Sequence, residues 1–174
     1  MPRGAWLVAG LVFATNVAMA EPWSVAVRAG GHTDWLTLPN FDDVVHDRRS
    51  GPSGEIEVAC TVLPKLALAA FVRVDHHSDG FETFTDEYVG FRARVFLRPF
   101  LYVGLGLDAV DDREDGIEDR RISLGGEAEL GAVLVQTRRV GLELMLDTGR
   151  FSEWTPLFHG GVAWTRLSLG VRFR

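Results

Sequence analysis

The sequence predicts an all-β fold, an eight-stranded antiparallel up-and-down transmembrane β-barrel with a polar lumen filled by side chains. Three observations carry this expectation. Apolar and polar residues alternate with period two in eight separate runs, and side chains along an extended strand point to opposite faces. The connections between runs alternate long and short, the pattern of a barrel with long loops at one rim and tight turns at the other. The polar faces are mostly Gly, Ser and Ala with one or two charges per run, which suits a narrow interior better than a solvated exterior.

The chain opens with Arg3, then the mostly apolar stretch Ala5 to Val17, then Ala18-Met19-Ala20 before Glu21. A positive start, an apolar centre and a small-x-small site form an export signal, so residues 1–20 are expected to be removed and residues 21–174 to form the barrel. The apolar stretch is too short and wrongly flanked for a transmembrane helix.

The first run, about Trp23 to Leu36, sets Trp23, Val25, Val27 and Ala29 against Ser24, Arg28, Gly30 and His32. A polar loop with Pro39, Asn40, Gly51, Pro52 and Gly54 is expected next. The second run sets Ile56, Val58, Cys60 and Val62 against Glu55, Glu57 and Thr61, and turns at Leu63-Pro64-Lys65. The third sets Leu66, Leu68, Ala70, Val72 and Val74 against Phe71, Arg73 and Asp75, before a loop near Ser78 to Phe84. The fourth sets Val89, Phe91, Ala93, Val95 and Leu97 against Gly90, Arg92 and Arg94, and Arg98-Pro99 turns again.

The fifth run sets Leu101, Val103, Leu105 and Leu107 against Tyr102, Gly104, Gly106 and Asp108, leading to an acidic loop from Asp111 to Asp119. That loop fails the EF-hand pattern, because Arg113 stands where a ligand belongs. The sixth sets Ile122, Leu124, Ala128, Leu130 and Ala132 against Ser123, Gly125, Glu127, Glu129 and Gly131. After Gln136-Thr137-Arg138, the seventh sets Val140, Leu142, Leu144 and Leu146 against Gly141, Glu143, Met145 and Asp147. A loop through Trp154 and Pro156 leads to the last run, in which Leu167, Leu169, Val171 and Phe173 oppose Arg166, Ser168, Gly170 and Arg172. Aromatic residues near run ends are expected to form two interfacial girdles: Trp23, Phe100 and Phe173 at the turn rim, and Trp35, Tyr88, Phe151, Trp154 and Phe158 at the loop rim.

Composition excludes several classes. A formal net charge of −6 argues against nucleic acid as a partner. The lone Cys60 excludes an internal disulfide, and no Cys/His spacing suggests zinc, so neither metal nor cofactor is expected. Lys65 is the only lysine; every other base is arginine, which suits fixed pairing with carboxylates in confined places. Parity alone leaves one question open, because a soluble barrel would bury the apolar face whereas a membrane barrel would show it to lipid.

The leader, the eight runs and the closing L-x-L-x-V-x-F strand resemble the small outer-membrane β-barrels of the OmpA-like type, a porin-like fold. The resemblance covers the whole of residues 21–174 and implies the outer membrane of a Gram-negative cell. It further implies contact with outer-membrane lipids and lipopolysaccharide, a monomer, and recognition by the barrel assembly machinery through the last strand. Members of that type usually end on the aromatic itself, whereas here Arg174 follows Phe173.

If every polar face points inward, the lumen holds Arg28, Arg73, Arg92, Arg94, Arg166 and Arg172 together with Glu55, Glu57, Asp75, Asp108, Glu127, Glu129, Glu143 and Asp147. Such charges are expected to pair across the interior, because burying one unpaired costs several kcal/mol. Arg92 and Arg94 are expected to meet Glu127 and Glu129, and the barrel to be a structural or surface-interaction protein rather than a wide pore.

One constellation offers chemistry. Val74-Asp75-His76-His77-Ser78-Asp79-Gly80 runs into a loop and Asp86-Glu87-Tyr88 returns from it. A register that sets His76 opposite Glu87, Val74 opposite Val89 and Leu66 opposite Leu97 would bring a serine, a histidine and a carboxylate together on the outward rim. This resembles the lipid A 3-O-deacylases, outer-membrane enzymes with a His-x-Ser and a glutamate on neighbouring strands. The resemblance implies His76 as base, Ser78 as nucleophile and Glu87 as the residue orienting His76. That family carries the set near its C-terminal strands and commonly has Asn after the serine, where this chain has Asp79.

Overall fold

A computed structural model describes residues 23–39, 44–78, 83–114, 121–155 and 158–174. The export signal assigned to residues 1–20 lies outside the described residues. Eight strands follow one another: β1 (Trp23–Pro39), β2 (Val44–Leu63), β3 (Leu66–Ser78), β4 (Thr83–Arg98), β5 (Leu101–Glu114), β6 (Arg121–Gln136), β7 (Val140–Thr155) and β8 (Phe158–Phe173). Each pairs antiparallel with the next, and β8 pairs with β1, so the sheet closes and leaves no edge.

The alternation decides which way the sheet faces. Leu105, Leu107 and Leu124 are 71%, 73% and 73% exposed, whereas Arg94 and Asp147 are fully buried. Charges point in and leucines point out, the reverse of a soluble barrel, so the outer face is complementary to lipid. Trp35, Phe100 and Phe173 are on that outer face near its two rims.

Three hairpins are tight, through Pro64-Lys65, Pro99-Phe100 and Thr137-Arg138-Arg139. A register shift sits beside each of them, between Thr61 and Leu63, Phe96 and Arg98, and Val133 and Val135. Backbone bonds stitch neighbouring turns together there: Phe96 N donates to Lys65 O and Val133 N to Phe100 O, at 2.9 and 2.8 Å. At this same rim Arg174 N donates to Arg139 O at 2.9 Å, which ties the end of the chain to the β6–β7 turn.

At the other rim the strands run further than alternation suggested. β2 begins at Val44, so Gly51, Pro52 and Gly54 lie within a strand rather than in a loop. Proline has no N–H to donate, and Pro52 stands opposite Gly31 of β1 just beyond Ser53–Asp75, where the β2–β3 ladder begins. The β7–β8 ladder likewise continues to Thr155–Phe158, through Trp154, and β5 takes in Asp111 to Glu114. A polar strand can keep its ladder outside the apolar belt because the ladder bonds do not depend on which solvent bathes the side chains.

Inside, bulk is accommodated by pairing it with glycine. Tyr102 faces Gly131, Trp164 faces Gly149, Phe71 faces Gly90, and Glu127 and Glu129 face Gly106 and Gly104. In each pair the large side chain lies over its partner, so that a Cβ on the glycine would overlap it. Gly131→Ala is therefore expected to cost roughly 1–3 kcal/mol through overpacking against the Tyr102 ring. The same change in a Tyr102→Ala background should cost much less, and urea unfolding of the four proteins checks this.

A charged lumen as the candidate functional site

The centre of the barrel is an ion-paired column. Arg28 on β1 donates Nε to Glu143 Oε1 at 2.7 Å, Nη1 to Glu55 Oε1 at 2.6 Å and Nη2 to Glu57 Oε1 at 3.1 Å. Arg92 on β4 donates two bonds to Glu55, at 2.7 and 2.8 Å, and its Nε to Glu127. Arg94 lies one layer nearer the tight turns and bridges Glu57 on β2 and Glu129 on β6. Arg166 on β8 donates Nη2 to Glu55 Oε2 at 2.6 Å and Nε to Asp147 Oδ2 at 2.8 Å. Arg172 reaches Glu143 at 2.9 Å.

Some of these bonds join adjacent strands, as Arg28 to Glu55 and Arg166 to Asp147, but others cross the lumen between strands that are not neighbours, as Arg92 to Glu55, Arg94 to Glu57 and Arg166 to Glu55. Glu55 and Glu57 on β2 are the two hubs: Glu55 accepts from Arg28, Arg92 and Arg166, and Glu57 from Arg28, Arg92, Arg94 and Arg172. Alternation puts both carboxylates on the inner face of one strand, one step apart, so they can address guanidinium groups from every side. Forked, planar guanidinium groups suit this arrangement because one Arg can bond two carboxylates at once.

Towards the loop rim the column changes character. Arg73 is fully buried, with its Nη1 3.3 Å from Glu127 and its Nε 3.2 Å from Asp75. Its Cζ stands 3.7 Å from the Tyr88 ring centre and 4.1 Å from that of Trp164. Phe71, Tyr88, Val110, Phe151, Val162 and Trp164 form one buried apolar cluster there. Two of the expected girdle aromatics are thereby corrected, because Tyr88 and Phe151 point into the lumen. They share the parity of Arg92 and Asp147, and parity outranks nearness to a strand end. The side chains of Trp154 and Phe158 lie outside the described residues.

The rim constellation takes a different register from the expected one. β3 and β4 pair His76 with Thr85, Val74 with Glu87 and Leu66 with Val95, a slip of two residues. The physical reason lies inside: this register seats Phe71 on Gly90, which has no Cβ to block the ring, and lets the Arg92 guanidinium stack on its face at 3.7 Å, where the other would place the two long side chains directly opposite each other. His76 is exposed, and its Nδ1 lies 3.2 Å from Thr85 Oγ1. Glu87 is half-buried and stands one step diagonal to His76 on the same outward face. Ser78 pairs with Thr83 through the ladder, and its side chain lies outside the described residues.

A second inward group was not singled out from sequence. His32, Asp34 and His77 converge at the loop rim, and Asp86 lies beside them. They come from β1, β3 and β4, so no linear spacing announces them.

No family model matches the chain, and no curated protein matches it. Solved structures do. Neisserial surface protein A is similar with a TM-score of 0.63 at 18% identity, over 88% of this chain and 99% of that one. The outer membrane protein OprG of Pseudomonas aeruginosa is similar with a TM-score of 0.50 at 11% identity, over 88% and 97%. This chain has the fold of the small eight-stranded outer-membrane barrels. At such identities the likeness concerns architecture, and function has to be argued from the chain's own residues.

Proposed function

We propose that this protein is an integral outer-membrane barrel, closed to diffusion, with a structural or surface-interaction role carried by its loop rim. The observation that supports this reading is the lumen. Six arginines and eight carboxylates are buried together and ion-paired, most of them across the interior, with the aromatic cluster stacked on Arg73 above them. An eight-stranded barrel has room for side chains and little else, so filling it with a bonded network leaves no continuous water path. Opening one would break several buried charge pairs at once, each costly to leave half-made.

In this reading the tight turns face the periplasm, the loop rim faces outward, and the apolar belt sits among outer-membrane lipids. The outward-facing Phe173 offers the last strand to the assembly machinery, and acidic residues around Asp111 meet lipopolysaccharide phosphates through divalent ions. The protein reconstituted into planar lipid bilayers is expected to give no unitary conductance steps under applied voltage. Regular steps in the nanosiemens range from the purified barrel would overturn the closed reading. Fractionation of cells should place the chain in the outer membrane, with heat-modifiable gel mobility.

A further inference from the structure

We infer that His32, Asp34 and His77 form a binding site for one divalent transition-metal ion of the zinc type, inside the loop rim of the barrel. His32 and Asp34 are two residues apart on β1, so both point inward, and His77 points inward from β3. One donor atom from each lies within 4.8 Å of the others. Asp34 Oδ2 is 3.5 Å from His32 Nε2 and 3.8 Å from His77 Nδ1. Metal–ligand bonds of about 2.0–2.1 Å in a tetrahedral site put donor atoms about 3.3 Å apart. The two contacts to Asp34 therefore need to close by only a few tenths of an ångström around an ion, and the two imidazole donors, within 4.8 Å of each other, by at most about 1.5 Å, which side-chain rotation supplies.

β2 runs between β1 and β3, yet it does not hold the imidazoles apart. At Gly51, opposite His32, β2 and β3 approach so closely that a Cβ would overlap the His76 carbonyl. The two imidazoles consequently meet edge to face with centroids 5.6 Å apart.

Two further observations point to a cation. His32 and Asp34 are 3% and 4% exposed, yet Oδ1 of Asp34 has no hydrogen-bond partner among the described residues, and the His32 ring has at most the Pro52 backbone for one of its two nitrogens. Buried polar atoms left so are costly, and an ion that takes their lone pairs removes that cost. The surroundings are also rich in carboxylate. Asp75 and Asp86 stand directly opposite each other in the β3–β4 ladder, a like-charge pair that a nearby cation would relieve. Asp86 Oδ2 lies 4.0 Å from the same His77 Nδ1, which adds a further carboxylate beside the site. Arg73 beside Asp75, Arg49 opposite Asp34 and Arg166 opposite His32 are the opposing bases; Arg166 is itself held by Glu55 and Asp147, so together they neutralise this cluster only in part.

The donor set selects the metal. Two imidazoles and one carboxylate suit zinc, cobalt, nickel or copper and disfavour calcium and magnesium, which need more oxygen donors. Three protein ligands leave a fourth position for water or an incoming ligand from the loop side.

The test uses the barrel refolded into detergent micelles, with cobalt(II) as the spectroscopic probe. One cobalt per barrel is expected, with visible ligand-field bands that zinc abolishes and that calcium and magnesium leave in place. His32→Gln and His77→Gln should each weaken binding by at least the 10–100-fold that losing an outer-shell partner costs. Folding of each variant is checked by heat-modifiable mobility. Absence of saturable binding at one ion per barrel would overturn the site, as would unchanged binding in the double variant. As a readout that needs no variant, zinc should raise the wild-type thermal midpoint by mass action. An unmoved midpoint at saturating zinc would also overturn it.

Discussion

Replacing Glu57 with alanine is expected to remove about 3–5 kcal/mol of stability, the cost of breaking a buried charge pair from one side. Glu57 is almost wholly buried and accepts from four arginines on β1, β4 and β8. Without it, positive charge accumulates in a space with little water to screen it. Glu57→Gln keeps the shape but not the charge, and should be nearly as damaging. Urea unfolding of the barrel in lipid vesicles measures the loss. Adding Arg94→Leu to Glu57→Ala should give back part of it, because the second change removes one of the stranded charges. A loss well under 1 kcal/mol for Glu57→Ala would mean that the lumen is wet enough to screen its own charges.

Leu105→Arg addresses the opposite face. Leu105 sits mid-strand on β5, flanked across the ladders by Ala93 and Ala128, and is 71% exposed. If that exposure is to hydrocarbon, the arginine should cost about 2–4 kcal/mol, as charges do near a bilayer midplane. Leu63→Arg, beside a tight turn at the end of β2, should cost only about 0–1 kcal/mol, because there a charge reaches the interface. The depth dependence is the diagnostic result. Equal small costs at both positions would be the signature of a water-facing wall and would remove the bilayer from the account.

Period-two alternation carried most of the architecture. Arg166-Leu167-Ser168-Leu169-Gly170-Val171-Arg172 reads directly as one charged-or-small face and one apolar face, and eight such runs with turn residues between them close as one sheet. Strand length was less legible, because beyond the apolar belt the alternation fades while the ladder continues, as through Gly51 and Pro52. Register was not legible from alternation. A slip of two residues leaves every face unchanged, so the choice between Glu87 and Thr85 opposite His76 was made by how Phe71 seats on Gly90.

Aromatic residues near the loop rim posed a different difficulty. Tyr88, Phe151 and Trp164 follow the parity of the charges, so strict counting was the signal that finds them, while their amphipathic chemistry fits an interface equally well. For His32, Asp34 and His77 no linear signal exists, since a whole strand separates the two histidines in sequence and only the lateral closeness of β1, β2 and β3 joins them.

The column of charges also constrains how the chain reaches its final form. Arg28 on β1 bonds Glu143 on β7, and Arg166 on β8 bonds Glu55 on β2, so these bonds straddle the β8–β1 seam. While that seam is open, residues near the two ends of the chain have yet to meet and these partners are apart. Zipping the seam and completing the ionic column are then a single cooperative event. A barrel missing one hairpin would forfeit both together, and intermediates would hold their arginines in water or against lipid headgroups until the last strand arrives. The network that spans the lumen would thus also act as an all-or-none latch on assembly.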